Sequence, residues 1–403
     1  MNSPLNHLRV ALIATSLRRG GGEKQVVSIA RALLGAGVDL QIFYLGSGGH
    51  YEPALREMKV PVHSIYFPNG SWKMLLTLIA DLRRWRPQVV LAGQFGDLQF
   101  AGIAGRLCRA LTLGCVQSDG WFELRTYGRL SRLLVLLAHG LVTSSHHARE
   151  VLASQRVNLR KMEVLPNLID LRDFDARSAL AFNGSLPADR VIAAAVGSLQ
   201  PCKRFDRFLE ALALARRDEP ALAGVIAGAD YGERAGLEAR AKALGLMPPD
   251  LIFLGECDRV PALLARSAML VLTSDYEGLP NVVLEAMAAR LPVVTTPAGD
   301  AGVVVQHGRT GFVAPPDDAR GMAAHMVRLA QSPALRREFG EAGRKRVEQE
   351  YNVQALADRL VGIFHDFAAR QRRGDLLELL ESDVGVRKAE KPCGATLAER
   401  LTT

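Results

Sequence analysis

The chain has 403 residues, of which 48% are hydrophobic, and it carries a formal net charge of +8. This length predicts two domains rather than one, and the composition is typical of a folded globular protein, which excludes a disordered chain. The five cysteines form no C-x-x-C pair, which argues against a disulfide framework or a zinc site and for a reducing cytoplasm. The apolar runs at residues 8–14 and 133–138 are too short to span a membrane, so we expect a soluble protein.

The positive charge is concentrated in the first part of the chain. Residues 1–170 contain 20 Lys and Arg against 11 Asp and Glu, whereas the remainder contains 30 against 31. This asymmetry favours an anionic partner for the first part, and a merely basic, soluble surface remains the alternative.

Short runs rich in β-branched residues alternate along the chain with longer amphipathic stretches. The pattern predicts strands over residues 9–14, 39–45, 88–92, 113–116, 140–143, 163–165, 191–196, 223–227, 251–254, 269–273 and 292–295. Among the helices that it predicts are residues 23–34, 74–84 and 204–215. Alternation without hairpin turns indicates parallel sheets covered on both faces.

The alternation lapses over residues 171–189, which predicts a domain junction. We therefore expect two doubly wound, Rossmann-like domains, at residues 1–180 and 181–368, that face a central cleft. In such sheets ligands bind beyond the carboxyl ends of the strands. Residues 369–403 are expected to be a peripheral tail, in which the basic RQRRG at 370–374 is followed by an acidic, helix-like stretch, and disorder is a candidate state for it.

The segment from Ser274 to Pro297 is the most informative part of the sequence. A predicted buried strand leads into a loop with Glu277 and Gly278, and Asn281 is a candidate N-cap for a helix with Glu285 in its first turn. Free amides at a helix start bind anions such as a diphosphate, and carboxylates accept hydrogen bonds from sugar hydroxyls. Two surface glutamates beside an ordinary helix are the alternative, but the strand–loop–helix context favours a ligand site.

Two further segments follow the first predicted strand of each domain. Lys203 comes after the strand at 191–196, where an ammonium could neutralise a leaving diphosphate, although a lysine before a helix is usually a solvated charge. Gly20, Gly21 and Gly22 come after the strand at 9–14 and would let the backbone approach a ligand closely. A bare glycine turn is the alternative there, and the segment is not a G-x-G-x-x-G dinucleotide fingerprint.

Taken with GRTGFVAPP at 308–316, LPNLID at 165–170 and FLGE at 253–256, these residues make the chain resemble the family 4 glycosyltransferases over about residues 8–368. The resemblance implies the GT-B fold and a retaining enzyme that uses an activated sugar donor. It implies that Glu277 touches the donor sugar and that Glu285 holds the ribose hydroxyls. The diphosphate would be held by Lys203 and by the amides of a segment that consists of Leu279, Pro280, Asn281 and Val282.

The resemblance assigns the remaining site residues as well. The backbone near Gly255 and Glu256 would face the nucleobase, and the glycine loop with Gly21 and Gly22 would face the sugar and acceptor. Asp119 stands where the family has a histidine, and we expect it to contact a sugar hydroxyl or assist the acceptor. Ser198 stands where the family often has an arginine, which leaves more of the phosphate charge to Lys203, with Arg204 as a candidate helper.

No metal or other cofactor is expected. Asp173 and Asp175 spell a D-x-D, but the pair falls beside the predicted domain junction rather than at a strand end, so we interpret it as incidental. His146 and His147 are adjacent and point apart on a helix, which predicts a structural or exposed position. No nucleic-acid partner is expected.

The sequence therefore predicts a metal-independent retaining glycosyltransferase of the cell envelope, with a UDP-sugar favoured and a GDP-sugar as the main alternative donor. The acceptor would be a glycan or a lipid-linked sugar. Residues 72–86 and the arginines before 133–138 could lie on an anionic membrane surface, or else be core-packed helices with solvated arginines. The expected location is the cytoplasm, with the inner face of the plasma membrane as a candidate. An epimerase or phosphorylase on the same fold and a non-catalytic nucleotide-sugar-binding protein remain alternatives.

Overall fold

The strands follow the aliphatic runs of the sequence, and most of their residues are buried. The structure is a computed structural model that describes residues 5, 7–18, 21–68 and 70–383. Aliphatic and β-branched side chains suit parallel strands because helices cover both faces of such a sheet. The thirteen strands of the described residues are β1 (Arg9–Ala14), β2 (Asp39–Tyr44), β3 (Val62–Ser64), β4 (Val89–Ala92), β5 (Leu111–Val116), β6 (Gly140–Thr143), β7 (Met162–Val164), β8 (Val191–Val196), β9 (Leu222–Ala227), β10 (Leu251–Gly255), β11 (Met269–Leu272), β12 (Val293–Thr295) and β13 (Gly311–Val313).

The helices lie between the strands, and several begin at a polar side chain that accepts a hydrogen bond from the first turn. Ser145 accepts from the amide of Ala148, for example, and Ser332 accepts from the amide of Leu335. The helices of the described residues are α1 (Gly21–Gly35), α2 (Glu52–Glu57), α3 (Ser71–Trp85), α4 (Leu98–Leu107), α5 (Trp121–Tyr127), α6 (Arg129–Leu137), α7 (His146–Ser154), α8 (Leu171–Ser178), α9 (Phe205–Asp218), α10 (Arg234–Ala243), α11 (Val260–Leu264), α12 (Asn281–Ala288), α13 (Ala301–Val304), α14 (Ala319–Gln331), α15 (Pro333–Glu350), α16 (Leu356–Arg370) and α17 (Gly374–Asp383).

Both sheets are doubly wound. The first has the strand order β3-β2-β1-β4-β5-β6-β7, and the second has the order β10-β9-β8-β11-β12-β13. In the first, β1 pairs in parallel with β2 and β4; in the second, β8 pairs in parallel with β9 and β11. The order therefore reverses between β1 and β4 and again between β8 and β11. A crevice for a ligand is expected at the carboxyl ends of the strands on either side of each reversal.

The predicted strands are confirmed, with ends that differ by at most two residues, and two further strands were not predicted. β3 and β13 have three residues each, and β3 has no fully buried side chain. Such short runs carry too few residues for a periodic hydrophobic signal. The predicted α/β class with two Rossmann-like parallel sheets is confirmed.

Contacts divide the described chain into two compact units. The first contains the described residues of Met1–Cys115, Arg129–Leu141 and Ala355–Thr403, and the second contains Val116–Gly128 and Val142–Gln354. The predicted ranges 1–180 and 181–368 do not coincide with these units, since 142–180 belongs to the second and 355–368 to the first. The helix α16 packs beside α1 in the first unit. The amphipathic sequence pattern of α16 indicates that one face of the helix is buried. The pattern does not indicate which of the two sheets the helix packs against.

The beginning of the predicted tail is a helix. Within α17 the side chains of Leu376 and Leu380 are buried, and the helix packs against α16. Residues 384–403, which complete the predicted tail, lie outside the described residues.

Candidate functional site

The residues that the sequence singled out in the second sheet lie at the reversal of strand order. Lys203 follows β8 and Glu277 follows β11, and these two strands are neighbours. The hydroxyl of Thr273, directly after β11, donates to the carbonyl oxygen of Lys203 at 3.0 Å. The fold thus brings together side chains that are 74 residues apart in the sequence.

Lys203, Ser274 and Glu277 form a hydrogen-bonded cluster at this point. The Nζ of Lys203 and the hydroxyl of Ser274 each donate to Oε1 of Glu277 at 2.7 Å. The side chain of Glu277 is 10% exposed and that of Lys203 is 24% exposed, so the pair is partly screened from water. An ammonium group has three donors, which leaves Lys203 able to bind a second anion beside the carboxylate.

The helix that follows the loop starts differently from the prediction. Asn281 is the first residue of α12, Pro280 occupies the N-cap, and no side chain caps the helix. The prediction that Asn281 is the cap was therefore wrong, and Glu285 lies in the second turn rather than the first. The amide of Val283 donates to the carbonyl of Pro280 at 3.1 Å.

The amides proposed to hold a diphosphate are thus fewer than expected. Pro280 has no N–H, so only the amides of Leu279, Asn281 and Val282 could serve that purpose in the predicted segment. The first amides of a helix have no intrahelical acceptor, and the helix dipole favours an anion there. Three amides and one ammonium group, together with the carboxylate of Glu277, form a site that can hold a phosphate and hydroxyl groups together.

The loop between Glu277 and α12 is held from both sides. The carbonyl of Gly278 accepts from the amide of Asp300 at 2.8 Å, and the carbonyl of Leu279 accepts from Nδ2 of the buried Asn167 at 3.0 Å. Gly299 has a φ of 55°, and a Cβ there would lie 2.3 Å from the carbonyl oxygens of Glu277 and Gly278. Only glycine fits so close an approach with that backbone conformation.

Asp300 and Asn167 are residues that sequence reasoning did not assign to the site. The Asp300 carboxylate accepts the amides of His146 and His147 at 2.8 and 2.9 Å, and so fixes the start of α7. Burial raises the pKa of Asp300. Asn167 lies in the LPNLID segment at 165–170, and this motif is the one sequence signal that could have indicated a role for Asn167.

Two buried oxygens near this loop have no hydrogen-bond partner within the described part of the chain. They are the hydroxyl of Ser144 and Oδ1 of Asn167. A Cβ at Gly278 would come 3.4 Å from the Ser144 hydroxyl. Buried polar atoms are almost always hydrogen-bonded in native proteins, so water or a ligand hydroxyl is the natural partner for these two.

Asp119 lies in the loop after β5, and its carboxylate already has a structural role. Its Oδ1 accepts the amide of Phe122 at 2.9 Å near the start of α5. The neighbouring Ser118 binds the buried carboxylate of Glu123, whose pKa is raised by burial. The carbonyl of Ser118 lies 3.0 Å from where a Cβ of Gly278 would stand. The predicted contact of Asp119 with a sugar stays a prediction.

Gly21 and Gly22 are the first residues of α1, after β1, and Arg19 and Gly20 of the predicted loop lie outside the described residues. Close by, the hydroxyl of Ser16 donates to Glu23 at 3.0 Å. This loop belongs to the first unit, at the reversal between β1 and β4.

The buried Asp97 is a further residue that the sequence did not single out. Thr15 binds its Oδ1 through both the amide and the hydroxyl, and the amide of Gln94 binds Oδ2 at 2.9 Å. Burial raises the pKa of Asp97 to about 6 despite these three donors. Its carboxyl therefore joins the segments that follow β1 and β4.

The proposed nucleobase residues lie at the end of β10. Gly255 has a φ of 72° and accepts the amide of Gly228 at 2.7 Å, and Glu256 follows directly. A Cβ at Gly228 would lie 1.8 Å from the carbonyl oxygen of Gly197 at the end of β8. Three glycines thus lie at or just after the carboxyl ends of β8, β9 and β10, and the Arg234 guanidinium lies 3.6 Å from where a Cβ of Gly255 would stand.

The side chain of Arg204 already binds acidic side chains of the protein. Its guanidinium forms ion pairs with Asp206 and Asp275 at 2.9 and 3.1 Å. The hydrogen bonds that Arg204 donates to Asp206, together with those that it donates to Asp275, raise the pKa of Arg204. These carboxylates neutralise Arg204, so the structure favours Lys203 rather than Arg204 as the cation of the site.

The D-x-D pair also has partners in the protein. Arg344 binds Asp175 through two hydrogen bonds of 2.6 and 2.8 Å, which hold the pKa of Asp175 below its usual range. Asp173 lies 3.7 Å from Arg177 one turn along α8. Within the residues that the structure describes, no three His, Cys, Asp or Glu side chains come together as metal ligands.

The chain has two doubly wound parallel sheets, and Glu277, Lys203 and the first amides of α12 lie at a reversal of strand order. These features are typical of the GT-B glycosyltransferases. Residues 177–346 match the family described as "Glycosyl transferases group 1", and residues 19–173 match "Glycosyltransferase Family 4". A glycogen synthase of Mycobacterium tuberculosis is 31% identical over 297 residues, which cover 68% of each chain. The chain belongs to the family 4, group 1 glycosyltransferases.

Other relatives match over a shorter stretch. The N-acetyl-alpha-D-glucosaminyl L-malate synthase of Bacillus anthracis is 32% identical over 31% of this chain, and the match spans 33% of that protein. The alpha-D-kanosaminyltransferase of Streptomyces kanamyceticus is 32% identical over 44% of this chain, and the match spans 46% of that protein. The chain thus covers less than half the length of these two curated relatives.

Solved structures share the fold. HepE of Anabaena, crystallised with UDP and glucose, superposes with a TM-score of 0.75 at 19% identity, over 89% of this chain and 99% of HepE. In the described residues, no helix has both the length and the apolar character needed to cross a membrane.

Proposed function

We propose that the chain is a metal-independent, retaining glycosyltransferase that moves a sugar from a UDP-sugar to a glycan or lipid-linked acceptor. The observation that carries this proposal is the cluster in which Lys203 and Ser274 bind Glu277 beside the open amides of α12. The cluster offers a cation and amides for a diphosphate, and a carboxylate for the hydroxyls of a sugar.

In the proposed mechanism the protein stabilises charge on the leaving group. Lys203 and the amides of Leu279, Asn281 and Val282 would bind the diphosphate as the bond to the sugar breaks. Glu277 would orient the sugar, and Glu285 would hold the ribose. The acceptor hydroxyl would attack from the face that the diphosphate leaves, which retains the anomeric configuration.

UDP is favoured over GDP as the nucleotide. HepE of Anabaena was crystallised with UDP, with UDP and glucose, and with UDP-glucose, which supports a uridine nucleotide for this chain too. The space near Gly255 would take the base, with Glu256 beside it. A place in cell-envelope polysaccharide or lipopolysaccharide synthesis is supported by a capsular polysaccharide glycosyltransferase of Staphylococcus aureus, 33% identical over 25% of this chain.

The site of action would be the cytoplasm or the inner face of the plasma membrane. A lipid-linked acceptor would require the enzyme to work at a membrane surface. The basic first part of the chain suits the anionic cytoplasmic leaflet.

The decisive experiment measures product and stereochemistry together. The enzyme is incubated with a series of UDP- and GDP-sugars and candidate acceptors in the presence of EDTA, and the anomeric configuration of the product is determined by NMR. We expect release of UDP with retained configuration, and a fall of about 10²–10³-fold in kcat for Glu277→Gln. An inverted product, or activity that returns only with a divalent ion, would refute the corresponding part of the proposal.

The same assay separates the alternative functions. An epimerase would convert the donor sugar without any acceptor, and a phosphorylase would need inorganic phosphate. A non-catalytic binding protein would be stabilised by the nucleotide-sugar but would turn over none of the donors with any acceptor.

A further inference from the structure

Three neighbouring helices form one layer on the first sheet. α3 packs beside α4, and α4 packs so closely on α6 that a Cβ at Gly102 would lie 2.8 Å from the Leu137 side chain. The chain moves in one direction along the sheet from β3 to β4, β5 and β6. Right-handed crossovers therefore place these three helices on the same face.

The outer side of this layer, here called the α3/α4/α6 face, carries large apolar side chains. Six of them are between 43% and 66% exposed: Trp72, Leu76, Leu107, Leu130, Leu133 and Leu136. The last three are spaced by three residues and form one stripe on α6, whose opposite side is buried at Leu134. Clustered exposed apolar side chains mark interaction surfaces rather than ordinary solvent-exposed surface.

The same face is strongly basic. Residues 71–86, 98–109 and 129–139 contain eight Lys and Arg and a single acidic residue, Asp81. Arg129 and Arg132 are exposed, and neither forms an ion pair with any residue that the structure describes. Arg106 donates to the carbonyls of Leu136 and Leu137, which anchors its guanidinium at the end of the apolar stripe without cancelling its charge.

A basic cavity adjoins the ends of α4 and α6. Arg106, Arg109, His139 and Arg373 line it with one carboxylate, Asp375, which pairs with Arg373 at 2.8 Å. Its volume is about 430 Å³. Guanidinium groups bind phosphate oxygens in pairs of hydrogen bonds, so the cavity suits a phosphorylated headgroup.

We propose that the α3/α4/α6 face binds the surface of an anionic phospholipid membrane. Trp72 and the leucines would enter the headgroup region, and the arginines would contact lipid phosphates. The inference deepens the proposed function and rests on it for the idea of a lipid-linked acceptor. A second copy of the chain is a poorer occupant because two faces of the same positive charge repel each other.

The test is co-sedimentation of the full chain with vesicles. Vesicles of phosphatidylcholine alone are compared with vesicles that also contain phosphatidylglycerol, at low and high salt. We expect binding to the anionic vesicles that weakens with salt. Arg129→Gln with Arg132→Gln should reduce the partition coefficient about 30-fold, at roughly fivefold for each arginine. Leu133→Gln with Leu136→Gln should reduce it at least tenfold and leave the salt dependence unchanged.

Matched controls come from exposed residues of the second unit. Leu159→Gln with Leu180→Gln, and Arg320→Gln with Arg337→Gln, remove the same groups elsewhere and should bind anionic vesicles as the unaltered chain does. Equal binding to neutral and anionic vesicles, absent binding, or control variants that lose binding equally would overturn the proposal. So would a dimer in solution that the leucine variant abolishes.

A final measurement keeps this inference separate from the proposed function. UDP release from the donor, assayed without vesicles, should be the same in the four variants and the unaltered chain. If UDP release is absent throughout while vesicle binding behaves as expected, the proposed function fails and the membrane surface stands.

Discussion

Within the described residues, Lys203 is the one basic residue that forms an ion pair with Glu277. Its ammonium group faces one carboxylate and has further N–H donors for a diphosphate, whereas Arg204 is held by two carboxylates, Asp206 and Asp275. We predict that Lys203→Met lowers kcat/KM by about 10²–10³-fold, because charge on the leaving diphosphate is then stabilised by amides alone. Steady-state rates of UDP release would measure this.

The control for Lys203 is another lysine of the same unit. Lys242→Met removes an exposed ammonium at the end of α10 and should leave kcat/KM within twofold. Lys203→Arg should retain part of the activity, since the charge remains in a different geometry. A Lys203→Met enzyme as active as the Lys242→Met enzyme would contradict the assigned role.

Asp97 makes the stability of the first unit depend on pH. Its pKa in the folded protein is about 6, raised by burial from 3.8, so the folded chain binds this proton more tightly than the unfolded chain. The free energy of unfolding should therefore fall as the pH rises from about 4 to about 6 and stay level above it. Two pKa units correspond to roughly 3 kcal/mol.

The measurement compares urea unfolding of Asp97→Asn and of the unaltered chain between pH 4 and pH 7. The difference between the two free energies isolates the contribution of Asp97 from that of all other titrating groups. Asp39→Asn, at an exposed position on β2, should show no such difference. Parallel pH profiles for Asp97→Asn and the unaltered chain would disprove the prediction.

At the scale of the element, α17 joins the first unit through two leucines. Leu376 and Leu380 are buried on one side of the helix and pack toward α16. We predict that Leu376→Ala lowers the free energy of unfolding by about 2–5 kcal/mol, because a cavity remains where the side chain was. Leu180→Ala, at a half-exposed position, should cost less than about 1 kcal/mol. A small effect of Leu376→Ala would mean that α17 does not stabilise the unit.

The elements show what a sequence can and cannot specify. β1, β6 and β8 could be predicted to the residue because a buried parallel strand is a continuous aliphatic run. β13 could not, since Gly311 is one of its three residues and glycine is unfavourable in strands. The start of α12 was misplaced by one residue because asparagine is a common N-cap, whereas the backbone at Pro280 occupies that position here.

The site was predictable where chemistry is carried by residue type and order. Glu277 and Lys203 could be paired because their strands are neighbours once a doubly wound sheet is assumed. Asn167 and Asp300 could not be placed, because each acts on backbone groups more than 100 residues away, through tertiary contacts that leave no spacing signal. For the same reason, the sequence did not indicate that α16 and α17 belong to the first unit.

For the whole molecule, the two compact units predict that a nucleotide stabilises only the unit that binds it. A ligand that binds the native chain alone adds about 2.7 kcal/mol when present at 100 times its dissociation constant. We predict that UDP slows hydrogen exchange in β8–β12 of the second unit, in EDTA as well as in its absence, and leaves β1–β4 unchanged. GDP at the same concentration should protect less.

Glu285→Ala should abolish most of the protection because the ribose contact is lost, whereas Glu238→Ala, an exposed change on α10, should not. Protection that appears in β1–β4 instead would mean that the nucleotide does not bind at Lys203 and α12. Protection that requires a divalent ion would mean that Lys203 and the amides of α12 do not neutralise the phosphates by themselves.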